Sequence, residues 1–140
     1  MRGVDPEARK LLESDRLAHM VTLNRDGSPQ VSCVWAGLDG DEIVTAHLPR
    51  NQKVKNVERD PRVVLSIEGE GLSDVGLRQY LVVHGNARVQ EGGAPEVLQR
   101  LAHTYLGPDV KFPPMDDPPP GYVIRTKPER LGGVGPWSDG

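Results

Sequence analysis

The basic residues Arg50, Lys53 and Lys55 crowd the start of a short segment that reads as helix, with Pro49 before it and Asp60-Pro61 after it. The first turn of a helix has unpaired N–H groups and the positive end of the macrodipole, which favours an anion there. Cations at that end are unfavourable unless something negative compensates them. Val54 and Val57 supply a separate apolar face to pack inward, leaving Lys53 and Lys55 free to point elsewhere. The two prolines shape the chain at both exits. This is the chemistry of an anion site, with phosphate a natural occupant; a solvated charged face is the plainer alternative.

Other reactive groups do not assemble in the sequence. Cys33 lies mid-strand between Ser32 and Val34, where a lone cysteine reads as a small buried hydrophobe. His19, His47, His84 and His103 have no ligand spacing, so no metal site is expected. Glu58 with Asp60, and Asp116 with Asp117, read as solvated charge, and neither a Gly-x-Gly-x-x-Gly nor a Walker loop is present.

The bulk numbers narrow the class. A chain of 140 residues reads as one domain, residues 1–140, with room for a real core. With 36% hydrophobic and 4% aromatic residues, a barrel or sandwich of Val, Leu, Ile and Ala fits better than an aromatic core, and burial in a dimer is attractive. The net charge of −3 and the scarce aromatics speak against a nucleic-acid partner. A single cysteine excludes an internal disulfide. Met1-Arg2-Gly3-Val4-Asp5 lacks the apolar core of a signal peptide, and no apolar run approaches the ~20 residues of a membrane span. A cytoplasmic protein is expected.

Position along the chain then fixes the elements around the basic segment. Asp5-Pro6 opens a helix ending near Ser14-Asp15. Leu17–Leu23, Pro29–Trp35 and Glu42–Ala46 read as three strands joined by turns at Asp26-Gly27 and Asp39-Gly40, hence as a meander. Val63–Ile67 and Arg78–Val89 are further strands, separated by a Gly-rich loop from Glu68 to Gly76. Ala94-Pro95 starts a helix closed by Gly107-Pro108. Lys111–Pro120 is proline-rich and irregular, Gly121–Thr126 is a last strand, and the tail from Leu131 to Trp137 is too Gly-rich for an element of its own. The order predicts an antiparallel β-barrel with attached helices, not a βαβ succession.

Taken together, the strand Leu-Ala-His-Met-Val-Thr-Leu, the run Asp-Gly-Ser-Pro-Gln-Val-Ser-Cys-Val-Trp, the segment Pro49–Arg62, the strand Val-Val-His-Gly-Asn-Ala-Arg-Val and the end Gly-Val-Gly-Pro-Trp resemble one family. It is the pyridoxamine 5′-phosphate oxidase-related (PPOX-class) split β-barrel family of flavin-binding proteins, and within it the branch of reductases using the deazaflavin F420. The Arg-x-x-Lys-x-x-Asn-x-x-x-Asp-Pro-Arg spacing is its most specific part. The resemblance implies a dimeric split β-barrel (FMN-binding split barrel), with two cofactor sites in grooves between the subunits of a homodimer. It assigns Arg50 and Lys53 to the cofactor phosphate, with Lys55 beside them. Gln30, Ser32, Val34 and Trp35 would line the ring, Thr45, Ala46 and His47 would face it from the next strand end, and Trp137 would reach the cleft from the tail. The implied activity is hydride transfer from reduced F420 to an electron-poor small molecule such as an enone or quinone, the cofactor carrying the chemistry. FMN in place of F420 is the first alternative, since both carry a phosphate after a ribityl chain. A non-catalytic flavin- or deazaflavin-binding protein is the second.

Overall fold

The computed structural model describes residues 4–138; Met1, Arg2 and Gly3 of the N-terminal reading lie outside that range. Asp5 caps helix α1 (Pro6–Leu12), its carboxylate accepting from the Glu7 and Ala8 N–H groups at 2.9 and 3.3 Å. Helix α1 stops short of the expected Ser14-Asp15, and it buries Ala8 and Leu12.

Strands β1 (Ala18–Leu23) and β2 (Pro29–Val34) form a hairpin, as do β3 (Gly37–Asp39) and β4 (Glu42–His47). After helix α2 (Gln52–Arg59) come the long strands β5 (Arg62–Leu72) and β6 (Arg78–Glu91), helix α3 (Ala94–Tyr105) and strand β7 (Tyr122–Val134). All pairings are antiparallel, and the sheet order is β2-β1-β5-β6-β7-β4-β3. The expected meander is therefore wrong. The first and second hairpins sit at opposite edges of the sheet, and β3 is a strand beyond those expected from the sequence. Only Trp35 and Ala36 separate β2 from β3, a link spanning roughly 10 Å at full extension. The sheet must curl until its two edges meet, which closes it as the antiparallel barrel that the element order predicts.

Met20, Leu65, Ile67, Leu81, Val83 and Ile124 fill the interior. Strand β4 is buried on both faces: Ile43 points into the barrel, while Val44 and Ala46 pack with Ala94, Leu98 and Val123 beneath α3. Burial on both sides accounts for the adjacent apolar pair Ile43-Val44, which points to opposite faces of β4, where a half-exposed strand would alternate apolar with polar.

Two glycine-rich stretches are more regular than expected. The loop placed at Glu68–Gly76 shrinks to a turn at Ser73–Gly76, because β5 continues to Leu72 through a register shift after Glu68. The tail is also strand as far as Val134, pairing Leu81 with Gly133 and Tyr80 with Val134. Gly133 has φ +94°, and a Cβ there would overlap the Tyr80 carbonyl, so glycine is what lets this strand close on β6. No helix among the described residues is long and apolar enough to cross a membrane.

Candidate functional site

Helix α2 is aimed by what lies beneath it. Val54 and Val57 enter the core, and between them Asn56 is fully buried. The Asn56 amide donates to Thr22 Oγ1 at 3.0 Å and Asn24 Oδ1 at 2.9 Å, while its oxygen accepts from Gln52 Nε2 at 2.8 Å. A buried amide with both protons used fixes the rotation of the helix over β1. Asn51 caps the first turn by accepting from the Val54 N–H at 3.2 Å, and that turn contains no acidic residue.

Fixed in this way, Lys53 faces an open pocket of about 270 Å³. Val34 and Trp35, at the end of β2, form one wall; Ala46 and His47, at the end of β4, form another. Leu98 of α3 and Phe112 close the apolar side, and Leu17 and Cys33 stand at the rim. Trp35 is held flat: its ring stacks on Tyr105 at 5.5 Å and 13°, and meets Phe112 edge-on at 5.1 Å. Tyr105 is itself pinned, its hydroxyl accepting from the Ala36 N–H at 3.1 Å and donating to the Arg16 carbonyl at 2.9 Å.

His47 and Lys53, which both line the pocket, are shifted toward neutrality. His47 is buried, with its Nε2 3.0 Å from Thr45 Oγ1, and its pKa is pushed down to about 4, chiefly by burial and further by the charge of Lys53. Lys53 is half-buried, and desolvation lowers its pKa. It has no ion-pair partner among the described residues. A partly desolvated ammonium at a helix N-terminus, facing apolar walls, is a good receptor for an anionic group.

The structure thus brings together Val34, Trp35, Ala46, His47 and Lys53 of the residues singled out from sequence. Thr45 is fully buried and stands behind His47. Gln30 points to the interior, accepting from Thr22 Oγ1 at 3.3 Å, and Ser32 Oγ is buried without a hydrogen-bond partner among the described residues. Arg50 turns away from Lys53: its guanidinium meets Glu58 at 2.7 Å, lining a second basin of about 480 Å³ with Arg25, Lys55 and Arg59. Trp137 is also elsewhere. It is buried in the core of its own chain, and its indole N–H donates to the Tyr80 carbonyl at 3.1 Å. Cys33, expected to be a buried hydrophobe, is exposed, because alternation along β2 puts it with Pro29 and Val31 on the outward face.

Sequence reasoning missed Leu98, whose helical spacing marks it as apolar without saying what it packs against, and Phe112, because a proline-rich stretch gives no register from which to place its side chains. The available signal was that Phe112 is the chain's only phenylalanine, set apolar among polar and proline neighbours. Residues 4–135 match the family described as pyridoxamine 5′-phosphate oxidase. The chain belongs to that family. Solved structures agree: an F420 reductase is 26% identical, with a TM-score of 0.72 over 89% of this chain and 94% of its own. HupZ of Group A Streptococcus (18% identity, TM-score 0.67, 98% of each chain) shares the fold. So does a heme binding protein from Mycobacterium smegmatis (21%, TM-score 0.66, 96% of this chain and 54% of that one). No curated protein sequence matches. The pyridoxamine 5′-phosphate oxidase family includes oxidoreductases, and the pocket described here lies within the matched residues.

Proposed function

We propose that this member of the pyridoxamine 5′-phosphate oxidase family is an F420-dependent reductase of electron-poor small molecules such as enones or quinones. The observation that carries the reading is Lys53, a half-buried cation with no ion-pair partner among the described residues, at the start of α2 and facing a pocket with a flat aromatic wall. The groups present fit a cofactor with a phosphate at one end and a planar ring at the other. Lys53 and the free N–H groups of the first turn of α2 hold the phosphate, and Trp35, Val34 and Ala46 bound the ring. When bound, the cofactor supplies the hydride. His47 is neutral at physiological pH, so it contributes an imidazole hydrogen bond and no second charge beside Lys53. The apolar walls exclude water from the ring. The F420 reductase among the similar structures supports a deazaflavin; FMN, with the same phosphate position, is the alternative that the same pocket accommodates.

A second copy of the chain completes the site. Leu17, 52% exposed, and Cys33 line the mouth of the pocket, and Val31, 55% exposed and two residues before Cys33 on β2, extends this exposed apolar surface away from it. Sedimentation as a dimer is expected; a monomer at micromolar concentration would refute this part.

The decisive experiment is a side-by-side titration of the apoprotein with F420 and with FMN, followed by fluorescence. F420 is expected to bind, and Lys53→Ala to weaken it by about 1–3 kcal/mol, the scale of a charge-assisted hydrogen bond. Unchanged affinity in Lys53→Ala would refute the phosphate assignment, and binding of FMN alone would change the cofactor. Turnover of reduced F420 with menadione separates an enzyme from a carrier.

A further inference from the structure

We propose that Glu58 is a latch that holds Arg50 away from the cofactor pocket and releases it to the cofactor phosphate. The proposal rests on the reading of the Lys53 pocket as a flavin-like site. Arg50 immediately precedes the α2 cap Asn51, so its backbone stands at the same end of the helix as Lys53. Its side chain nevertheless runs toward the other end of the helix. Nε and Nη2 both lie on Glu58 Oε1, at 2.8 and 2.7 Å, and Glu58 belongs to the last turn. In that position Arg50 lines the basin shared with Arg25, Lys55 and Arg59, while Lys53 lines the other pocket.

Three features make this pair exchangeable. Both side chains are partly solvated, at 52% and 31% exposure, so the pair is weak. A phosphate offers the same guanidinium two parallel charge-assisted bonds, a better match than one carboxylate oxygen. Release does not strand Glu58, because Lys55 lies three residues before it on the helix and Arg59 and Arg25 share its basin. The surplus of cations around a single acid is thereby given a role: Lys55 takes over Glu58 when Arg50 leaves.

The test is a double-mutant cycle on cofactor affinity. F420 and FMN are titrated into wild type, E58Q, R50A, R50A/E58Q and K53A, with E58A in reserve if E58Q yields no folded protein. E58Q is expected to bind about two- to fivefold tighter than wild type, the equivalent of one exposed ion pair. In the R50A background the same substitution is expected to change nothing, since no arginine remains to be released. Equal gains in both backgrounds would show a general effect of removing negative charge and would overturn the latch. Unchanged or weaker binding by E58Q would do the same. If K53A weakens binding while E58Q is silent, the latch falls and the pocket assignment stands. If wild type binds neither F420 nor FMN, both fall.

Discussion

Titration of His47 sets the acid sensitivity of this fold. Its pKa is lowered from 6.5 to about 4 by burial, with the Lys53 charge adding to the effect. A histidine that is less basic folded than unfolded contributes stability that is complete above the unfolded value and lost as pH falls toward the folded one. The window therefore runs from pH 6.5 down to about 4. Linkage with these two values predicts that unfolding is easier than at neutral pH by about 1 kcal/mol at pH 5.5 and about 2 kcal/mol at pH 5, approaching about 3 kcal/mol below pH 4. The carboxylates whose pKa values are lowered, Asp26, Asp39, Asp60 and Glu70, keep their stabilising charge above pH 5 and lose it only in more acidic solution. Urea unfolding followed by tryptophan fluorescence between pH 7.5 and 5 reads this window, with wild type compared with His47→Gln. The wild-type midpoint is expected to fall steeply with acid and the variant's to stay nearly level. Parallel slopes in the two proteins would refute the assignment of a buried neutral imidazole. Lys53→Met, which removes the second cause of the shift, is expected to give a shallower slope than wild type.

Two further substitutions probe how the site is positioned. Asn56→Ala removes both hydrogen bonds from α2 to Thr22 and Asn24, leaving buried groups unpaired; a loss of about 1–3 kcal/mol in chemical unfolding is expected. Gly121→Ala places a Cβ 2.6 Å from both the His47 carbonyl and Ala94 Cβ at φ +61°, so at least about 1 kcal/mol of stability is expected to be lost by the same measurement.

Much of the molecule is legible from local chemistry. Asp5-Pro6 fixes the start of α1, Asp26-Gly27 and Asp39-Gly40 fix the two hairpin turns, and Pro49 with Asp60-Pro61 brackets α2. These signals are legible because caps, prolines and positive-φ glycines act within a few residues. Val54 and Val57 likewise reveal the inward face of α2 by spacing alone. What a strand pairs with is a different matter. The alternation in β2 and the apolar run in β4 say which faces are buried, yet only closure of the sheet puts β2 at one edge and β4 beside β7.

The same boundary runs through the site. The sequence by itself determined that three cations gather at a helix start, that Val34 and Trp35 close one strand, and that Ala46 closes another with His47 just beyond it. Only the tertiary structure decided which of them share a pocket. Burial of Asn56 sets the rotation of α2, and that rotation sends Lys53 to one side, while the Glu58 carboxylate draws Arg50 to the other. Trp137 and Gln30 lie outside the pocket for the same reason: side chains adjacent in a family pattern are separated in space by the sheet that carries them.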